Sequence, residues 1–261
     1  MRTTVERTST VHHPSPLRRT GLRAVAAGLT CLLVLTFSTG TSHAVIGACN
    51  AHGDGYDAQR AYICELYAIA LHSPVDGEVE YWIDVLNNEG RGFTSTSLLG
   101  SAESTRTFVD QAYGQFLDRF GDPVGDHFWT DQILAGRPYE SFEVALLSSD
   151  EAWALVGGTN PNFVSYLYGV VLNRGAGAEE SAFWTGQLDG GASRDAVASA
   201  FIHSSEETAL LVNRYYEDFL NRAPDPAGAA FWGSEIDSKG LLPMLFEFFA
   251  TDEYYNLVTG P

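Results

Sequence analysis

Apolar and polar positions follow a helical period along most of this chain, and the pattern recurs at long intervals. An aromatic residue directly precedes a tryptophan at four places, Tyr81-Trp82, Phe128-Trp129, Phe183-Trp184 and Phe231-Trp232. Consecutive tryptophans of these pairs are 47, 55 and 48 residues apart. Self-similarity at such a period predicts a tandem array of structural repeats.

Each tryptophan stands in the same frame of apolar residues. A tyrosine lies 15 or 16 residues before it, a leucine follows that tyrosine by four residues, and an aliphatic residue follows the tryptophan by four. This spacing places each pair on one face of a helix. The anchors are Tyr67, Tyr113, Tyr168 and Tyr216, and Trp82, Trp129, Trp184 and Trp232. We interpret them as core anchors, with an exposed sugar-stacking platform as the alternative.

Turn and cap residues mark the ends of these helices. Asp122-Pro123 and Asp225-Pro226 each read as an N-cap followed by proline at the first helical position. Glycines at similar offsets after the tryptophans read as C-caps; they are Gly90, Gly136, Gly190 and Gly240. The sequence therefore predicts an all-α fold of four tandem repeats with about three helices each, arranged as two pairs.

Serine and glutamate mark a further set of helix starts. Ser148 with Glu151, and Ser204 with Glu207, fit the capping box. A glutamate follows each tryptophan by 21 or 22 residues, at Glu103, Glu151, Glu206 and Glu253. Each repeat is thus expected to end in an apolar third helix, such as 197–202 or 241–250.

A helix breaker divides the array. Gly157-Gly158-Thr159-Asn160-Pro161 accounts for the longest interval between tryptophans. We expect repeats one and two in residues 60–156, the breaker in 157–161, and repeats three and four in 162–261.

The first 44 residues differ from the rest in composition. They hold five arginines and a single acid, Glu6, and an uncharged apolar run over 24–37 leads to small residues ending at Ala44. This layout is typical of a secretory signal peptide. The apolar run is shorter than the roughly 20 apolar residues that a membrane span needs. We expect cleavage after Ala44 and export by the Sec or, from Arg18-Arg19, the twin-arginine route. An uncleaved signal anchor and a lipoprotein acylated at Cys49 stay open as alternatives.

Charge narrows the choice of partners. The whole chain carries a net charge of −18, and removal of residues 1–44 leaves 10 basic and 32 acidic side chains, or −22. Such a chain repels nucleic acid and anionic lipid and favours basic partners. No membrane span is expected after signal cleavage.

The cysteines indicate an oxidising compartment. Cys31 leaves with the signal, so Cys49 and Cys64 remain as a pair. We expect a disulfide that ties the segment 45–59 to the first helix, with free thiols or a metal ligand pair as the alternative.

The fourth repeat carries a motif that resembles a known bacterial family. The run Leu220-Asn221-Arg222-Ala223-Pro224-Asp225-Pro226-Ala227-Gly228-Ala229-Ala230-Phe231-Trp232 is similar to the hallmark of domain of unknown function 4214. The second copy keeps Leu117, Arg119, Asp122, Pro123, Gly125 and Trp129. The third keeps Leu172, Arg174 and Trp184 but has Gly-Ala-Gly-Ala at the turn, and the first has His72 and Ser73 in place of Asn and Arg.

The resemblance implies a small helical fold like that of phycobilisome-linker domains, in exported and surface-layer-associated bacterial proteins and beside calcium-binding repeats. It implies no established activity and carries no catalytic residues. From the residues themselves, the repeated arginines Arg119, Arg174 and Arg222 are expected to bond carbonyls or a neighbouring acid, with ligand binding as the alternative.

No segment has the Asp-x-Asp-x-Asp-Gly spacing of a calcium loop. Asp122 and Asp225 are therefore helix-cap residues first and weak cation candidates second. We expect no resident metal or cofactor, with calcium as the alternative.

The sequence lacks the common catalytic signatures, including His-Glu-x-x-His, Gly-x-Ser-x-Gly and the phosphate loop. We therefore expect an exported, non-catalytic interaction module at the cell surface or in the medium, bound to an extracellular protein or glycan. The alternative is a secreted hydrolase that acts on polysaccharide through a carboxylate pair.

Overall fold

The computed structural model describes residues 58–70, 74 and 77–260. Helices contain 79% of these residues, which include no strand. In chain order the helices are α1 (Ala58–Ile69), α2 (Glu78–Leu99), α3 (Ala102–Leu117), α4 (Pro123–Leu134), α5 (Tyr139–Ser148), α6 (Asp150–Leu155), α7 (Asn160–Val170), α8 (Ala178–Asp189), α9 (Arg194–Ile202), α10 (Ser205–Leu220), α11 (Pro226–Lys239), α12 (Leu241–Phe249) and α13 (Asp252–Thr259). The predicted all-α helical repeat fold is confirmed.

The predicted helix types recur in order. The anchor tyrosines lie in α1, α3, α7 and α10, and the tryptophans in α2, α4, α8 and α11. The apolar third helices are α5, α9, α12 and the second half of α2. Gly90 separates the two halves of α2, because its φ of 81° and ψ of 174° are not helical. None of the described helices is both long and apolar enough to cross a membrane.

Serine or threonine hydroxyls cap the N-terminus of the helix that follows each third helix. Ser101, Ser149, Ser204 and Thr251 each accept a hydrogen bond from the backbone N–H three residues later. The predicted cap at Ser148 is wrong by one residue, because Ser149 accepts from Ala152 N at 3.0 Å. With the cap at Ser149, Glu151 lies in the first turn of α6.

The predicted breaker interrupts, in the third repeat, a helix that is continuous in the second and fourth repeats. α3 and α10 each run for 16 residues from the serine cap through the anchor tyrosine. In the third repeat the same stretch is divided into α6 and α7 by Gly157 and Gly158, whose φ values are 89° and 66°. Trp153 packs beside the break, against Phe163 and against Gly158.

The first and last described helices pack together, so the array returns on itself. α1 contacts α13, and α2 contacts α12. The Tyr62 hydroxyl donates to Phe249 O at 3.1 Å, and Ser95 Oγ donates to Phe246 O at 2.8 Å. Arg91 forms an ion pair with Asp252. These contacts bury the apolar faces of repeats one and four against each other.

Repeats two and three share a second interface. α5 packs against α9, the Tyr166 hydroxyl donates to Phe116 O at 2.8 Å, and Arg194 pairs with Asp150 at 2.6 Å. α5 also contacts α12. Helices from the two ranges 60–156 and 162–261 therefore contact each other, while their division into two folding units stays a prediction.

Candidate functional site

The repeated arginines join successive repeats. Arg119, Arg174 and Arg222 each lie six residues after an anchor tyrosine, with the guanidinium carbon 4.7–4.8 Å from the centre of that tyrosine ring. Each forms a bidentate ion pair with a glutamate three helices further along the chain, in the first turn of α6, α10 or α13. The Nε and Nη2 distances are 2.5 and 2.8 Å to Glu151, 2.6 and 3.0 Å to Glu206, and 2.5 and 2.8 Å to Glu253.

These contacts explain two sequence patterns that the spacing alone did not connect. The arginine series and the glutamate series are the two halves of one junction, 31 or 32 residues apart in sequence. The hydrogen bond from Arg119 lowers the pKa of Glu151, and the one from Arg174 lowers the pKa of Glu206. We refer to each Arg–Tyr–Glu set as a junction cluster.

The residue before each of these arginines has a left-handed backbone conformation, which places the arginine side chain over the tyrosine ring. Asp118, Asn173 and Asn221 have φ values of 52°, 51° and 52°, in the left-handed region. Asparagine and aspartate adopt this conformation more readily than other non-glycine residues. It ends the tyrosine helix and folds the arginine back over the ring. The first repeat has His72 and Ser73 at these two positions.

The two candidate aspartates cap the tryptophan helices beside the junction clusters. Asp122 Oδ1 accepts from Val124 N at 3.2 Å and Gly125 N at 3.0 Å, and Asp225 Oδ1 accepts from Ala227 N at 3.0 Å and Gly228 N at 2.9 Å. The hydrogen bonds from the glycine amides lower the pKa of both carboxyls. A hard cation would therefore compete with backbone N–H groups for these oxygens.

The third repeat replaces the capping aspartate by Gly177 and compensates with Glu180. Glu180 accepts from Gly177 N at 2.7 Å and from Arg174 Nη1 at 2.8 Å and Nη2 at 2.7 Å. The arginine hydrogen bonds and the Gly177 amide lower the pKa of Glu180 to about 2. One carboxylate thus caps the helix and joins the junction cluster.

The tryptophans and their neighbouring aromatic residues have different exposures. The four anchor tyrosines and Trp232 are buried, and Trp82, Trp129 and Trp184 are partly buried against the core. The residue before each tryptophan is exposed: Tyr81 is 59% accessible, Phe128 50%, Phe183 57% and Phe231 54%. Each of these rings meets its tryptophan edge to face, with centroids 4.9–5.2 Å apart. We call them the outer rings.

Sequence reasoning identified the outer rings only as parts of the aromatic-Trp pairs. The signal for their exposure was available, because adjacent residues on a helix point about 100° apart and cannot both face one core. An acidic residue lies within one turn of each outer ring: Asp84, Asp131, Glu179 and Glu235. Asp84, Asp131 and Glu179 are exposed, whereas Glu235 is partly buried and forms an ion pair with Lys239.

A group of buried carboxyls surrounds a cavity of about 440 Å³ at the meeting of α5, α10 and the start of α12. Glu140, Glu143 and Glu207 line it, and all three are less than 10% accessible. Glu207 N donates to the Ser204 cap as predicted, at 3.1 Å, but the Glu207 carboxyl faces this cavity. Burial raises the pKa of Glu207 to about 8, and burial together with Glu140 and Glu207 raises the pKa of Glu143 well above its usual range.

A second carboxyl pair lies near the start of α4. The pKa of Asp126 is raised to about 6, mainly by burial. The negative charge of Asp110 and a hydrogen bond with Asp110 add to this shift. Two hydrogen-bonded carboxyls are closer than the roughly 5 Å or more that separates the catalytic carboxyls of most glycosidases. This pair therefore does not have the spacing that the hydrolase alternative needs.

The predicted disulfide can be located at one end only. Cys64 is buried in α1 at 5% accessibility, and Cys49 lies outside the described residues, as does the predicted signal peptide. The pairing stays a prediction. Among the described residues, no group of three or more His, Cys, Asp or Glu side chains is placed to hold one metal ion.

Comparison with known families identifies part of the array. Residues 143–211 match the family model of domain of unknown function DUF4214, in agreement with the resemblance seen in the sequence. The matched segment begins in α5, contains the junction cluster of Arg174 with Glu206, and ends in α10. No curated protein and no solved structure matches the chain significantly. The likeness to phycobilisome-linker domains stays a prediction.

Proposed function

We propose that this protein is an exported, non-catalytic helical repeat module that binds a basic protein partner at the cell surface or in the medium. The observation that carries this proposal is the set of outer rings, one in each repeat, at the same helical position. Junction clusters, caps and anchor residues all have partners within the fold, whereas about half of each outer ring faces solvent.

The outer rings are suited to binding because they are held in place before a partner arrives. Each ring packs on its tryptophan, so little side-chain freedom is lost on association. Aromatic residues are enriched in the cores of protein interfaces. Four such positions on one chain also allow several weak contacts to act together, provided that the partner can reach more than one.

Charge favours a basic partner over a glycan. The chain carries −18 overall, and three of the four outer rings, Tyr81, Phe128 and Phe183, have an exposed acid within about one helical turn. Lysine and arginine side chains stack on aromatic faces and pair with carboxylates. A neutral sugar would use only the ring.

The test starts from the mature chain, immobilised and exposed to envelope and medium proteins of the producing organism. An identified partner is then titrated against the wild type, the double variant Phe128→Ser/Phe183→Ser and the control Phe120→Ser. Phe120 is 87% accessible but stands outside the repeated position. We expect the double variant to weaken binding by about tenfold or more, with little change for Phe120→Ser and with weaker binding at high salt.

Three results would argue against the proposal. They are the absence of any partner, binding that the double variant leaves unchanged, and selective binding of cell-wall glycan instead of protein. Turnover of a polysaccharide panel would favour the hydrolase alternative. The intact mass of the exported chain reports signal cleavage, acylation and the Cys49–Cys64 bond in one measurement.

A further inference from the structure

The carboxyl-lined cavity is separate from the outer rings, and none of the outer rings lines it. Helices of three repeats form its walls. Glu140 and Glu143 come from α5, Glu207 from α10, and Leu241 from the first turn of α12. Apolar side chains complete the lining, among them Val170, Ile202 and Leu211. The cavity therefore combines an acidic wall with an aliphatic one.

Two carboxyl oxygens on the acidic wall lack a hydrogen-bond partner in the protein. One oxygen of Glu140 accepts from Leu241 N, at the start of α12, where no side chain of α12 provides a cap. Glu140 Oε2 and Glu207 Oε2 accept from no protein group, although Glu140 is 9% and Glu207 5% accessible. Buried carboxylates are costly unless they are paired or fully hydrogen-bonded.

The two basic side chains that line the cavity have partners outside the acidic wall. Lys239 lines the cavity, but its Nζ pairs with Glu235 at 2.5 Å and with Glu247 at 2.8 Å. His203, directly after α9, also lines it, with Nδ1 at 2.9 Å from Ser199 O in the last turn of α9. Arg214 lowers the pKa of Glu207 by its charge, but it does not line the cavity.

We propose that this cavity is a binding site for a primary alkylammonium group, held by Glu140 and Glu207 with its aliphatic stem against Val170, Ile202 and Leu211. An ammonium has three N–H donors and can join two carboxylate oxygens. Its stem matches the apolar wall, and the cavity volume lies in the usual range for small-molecule sites. A metal ion would need several oxygens to converge on one point.

The probe for this site is n-butylamine, titrated into the full mature chain by calorimetry at about pH 9. This pH lies above the pKa of about 8 of Glu207, so the carboxylate is charged, and below that of an alkylammonium group. We expect saturable binding and a shift of the Leu241 amide resonance. A short lysine-containing peptide in a parallel titration shows whether the same group is also accepted from a protein side chain.

Glu207→Gln and Glu140→Gln each replace one carboxyl acceptor by a neutral amide and should weaken binding by about tenfold or more. Glu217→Gln is the matched control, because Glu217 is exposed on the same helix as Glu207. Both substitutions replace a buried acid by a neutral group of similar shape, so the variants are expected to fold; their melting temperatures check this.

Several outcomes would overturn the proposal. They are no saturable binding of n-butylamine, binding that both variants leave unchanged, equal binding of butan-1-ol, and displacement of the amine by calcium at low concentration. The outcome is independent of the outer rings, because Phe128→Ser/Phe183→Ser should bind n-butylamine like the wild type. Failure of the basic-partner proposal and failure of this one are therefore distinguishable.

Discussion

At the scale of single residues, the backbone and the side chain of Glu207 have different roles: the backbone takes part in a helix cap, and the carboxyl lines a cavity. Its backbone N–H completes the Ser204 cap, which the sequence pattern predicted. A capping box would direct the Glu207 carboxyl back to the start of the helix. The carboxyl instead lines a cavity to which α5 and the start of α12 also contribute. Because that environment is assembled by tertiary packing, no spacing in the sequence reports it.

Burial of Glu207 predicts a pH-dependent cost in stability. The pKa of this carboxyl rises from 4.5 to about 8 on folding, so the folded chain holds its proton more tightly than the unfolded chain. The free energy of unfolding should then fall as pH rises from about 4.5 to about 8 and change little above that. Glu207→Gln removes this contribution, and denaturant unfolding across this pH range measures the difference.

The stability of Glu207→Gln relative to the wild type should therefore increase with pH over that interval. Burial is the largest cause of the raised pKa of Glu143 and is the same in both proteins. Glu207 also raises the pKa of Glu143, so the variant removes this smaller contribution as well, which changes the stability difference in the same direction. Glu217→Gln serves as the control and should parallel the wild type. A stability difference between Glu207→Gln and the wild type that does not vary with pH would contradict the buried environment of this carboxyl.

At the scale of elements, the ends of the helices were more predictable than the contacts between them. Asp122 and Asp225 cap their helices, and Gly90, Gly136 and Gly240 have positive φ near the ends of the tryptophan helices. These features depend on residues close in sequence. The pairing of Arg222 with Glu253 spans 31 residues and depends on how α13 packs against the end of α10, although each partner was visible as a repeated position.

The left-handed residue before each arginine makes a second prediction. Asn221 has φ 52° at the end of α10, a conformation that costs roughly 1–2 kcal/mol for residues with a bulky β-carbon. Asn221→Val should lower the free energy of unfolding by about that amount, and Asn221→Gly should change it little. Urea denaturation measures both.

Asn213 provides the control for this effect, since it is exposed within α10 and valine and asparagine have similar helix propensities. Asn213→Val should stay within about 0.5 kcal/mol of the wild type. Equal losses for Asn213→Val and Asn221→Val would show that the left-handed conformation at Asn221 is not the cause of the loss.

At the scale of the whole molecule, the sequence predicts repeats but not their arrangement. The same local sequence pattern is compatible with an open solenoid and with an array whose ends pack together. The choice between them depends on which apolar faces contact each other. Here α1 packs on α13 and α2 on α12, so the first and last repeats cover each other. Tyr62, which donates to Phe249 O across 187 residues, lies outside the repeated frame and gave no signal of this contact.

The breaker at Gly157-Gly158 is a second case in which the sequence predicts a local feature but not the tertiary contacts around it. Its glycines and proline predicted an interruption, and α6 and α7 are separated there. Composition could not show that Trp153, outside the four repeated pairs, packs beside the break, or that Arg194 reaches back to Asp150 across it. Local breakers report where a helix ends and not whether the flanking units separate.

The return of the array on itself predicts that the described repeats unfold together. Loss of the buried hydrogen bond in Tyr62→Phe leaves Phe249 O unpaired, which should cost about 1 kcal/mol and lower hydrogen-exchange protection in α12 and α13 as well as in α1. Thermal unfolding should show a single transition that moves as a whole, because repeats one and four cannot separate without exposing their shared apolar faces. Tyr81→Phe removes an exposed hydroxyl and should leave both measurements unchanged. Two separate transitions, of which Tyr62→Phe shifted only one, would instead support folding units divided at residues 157–161.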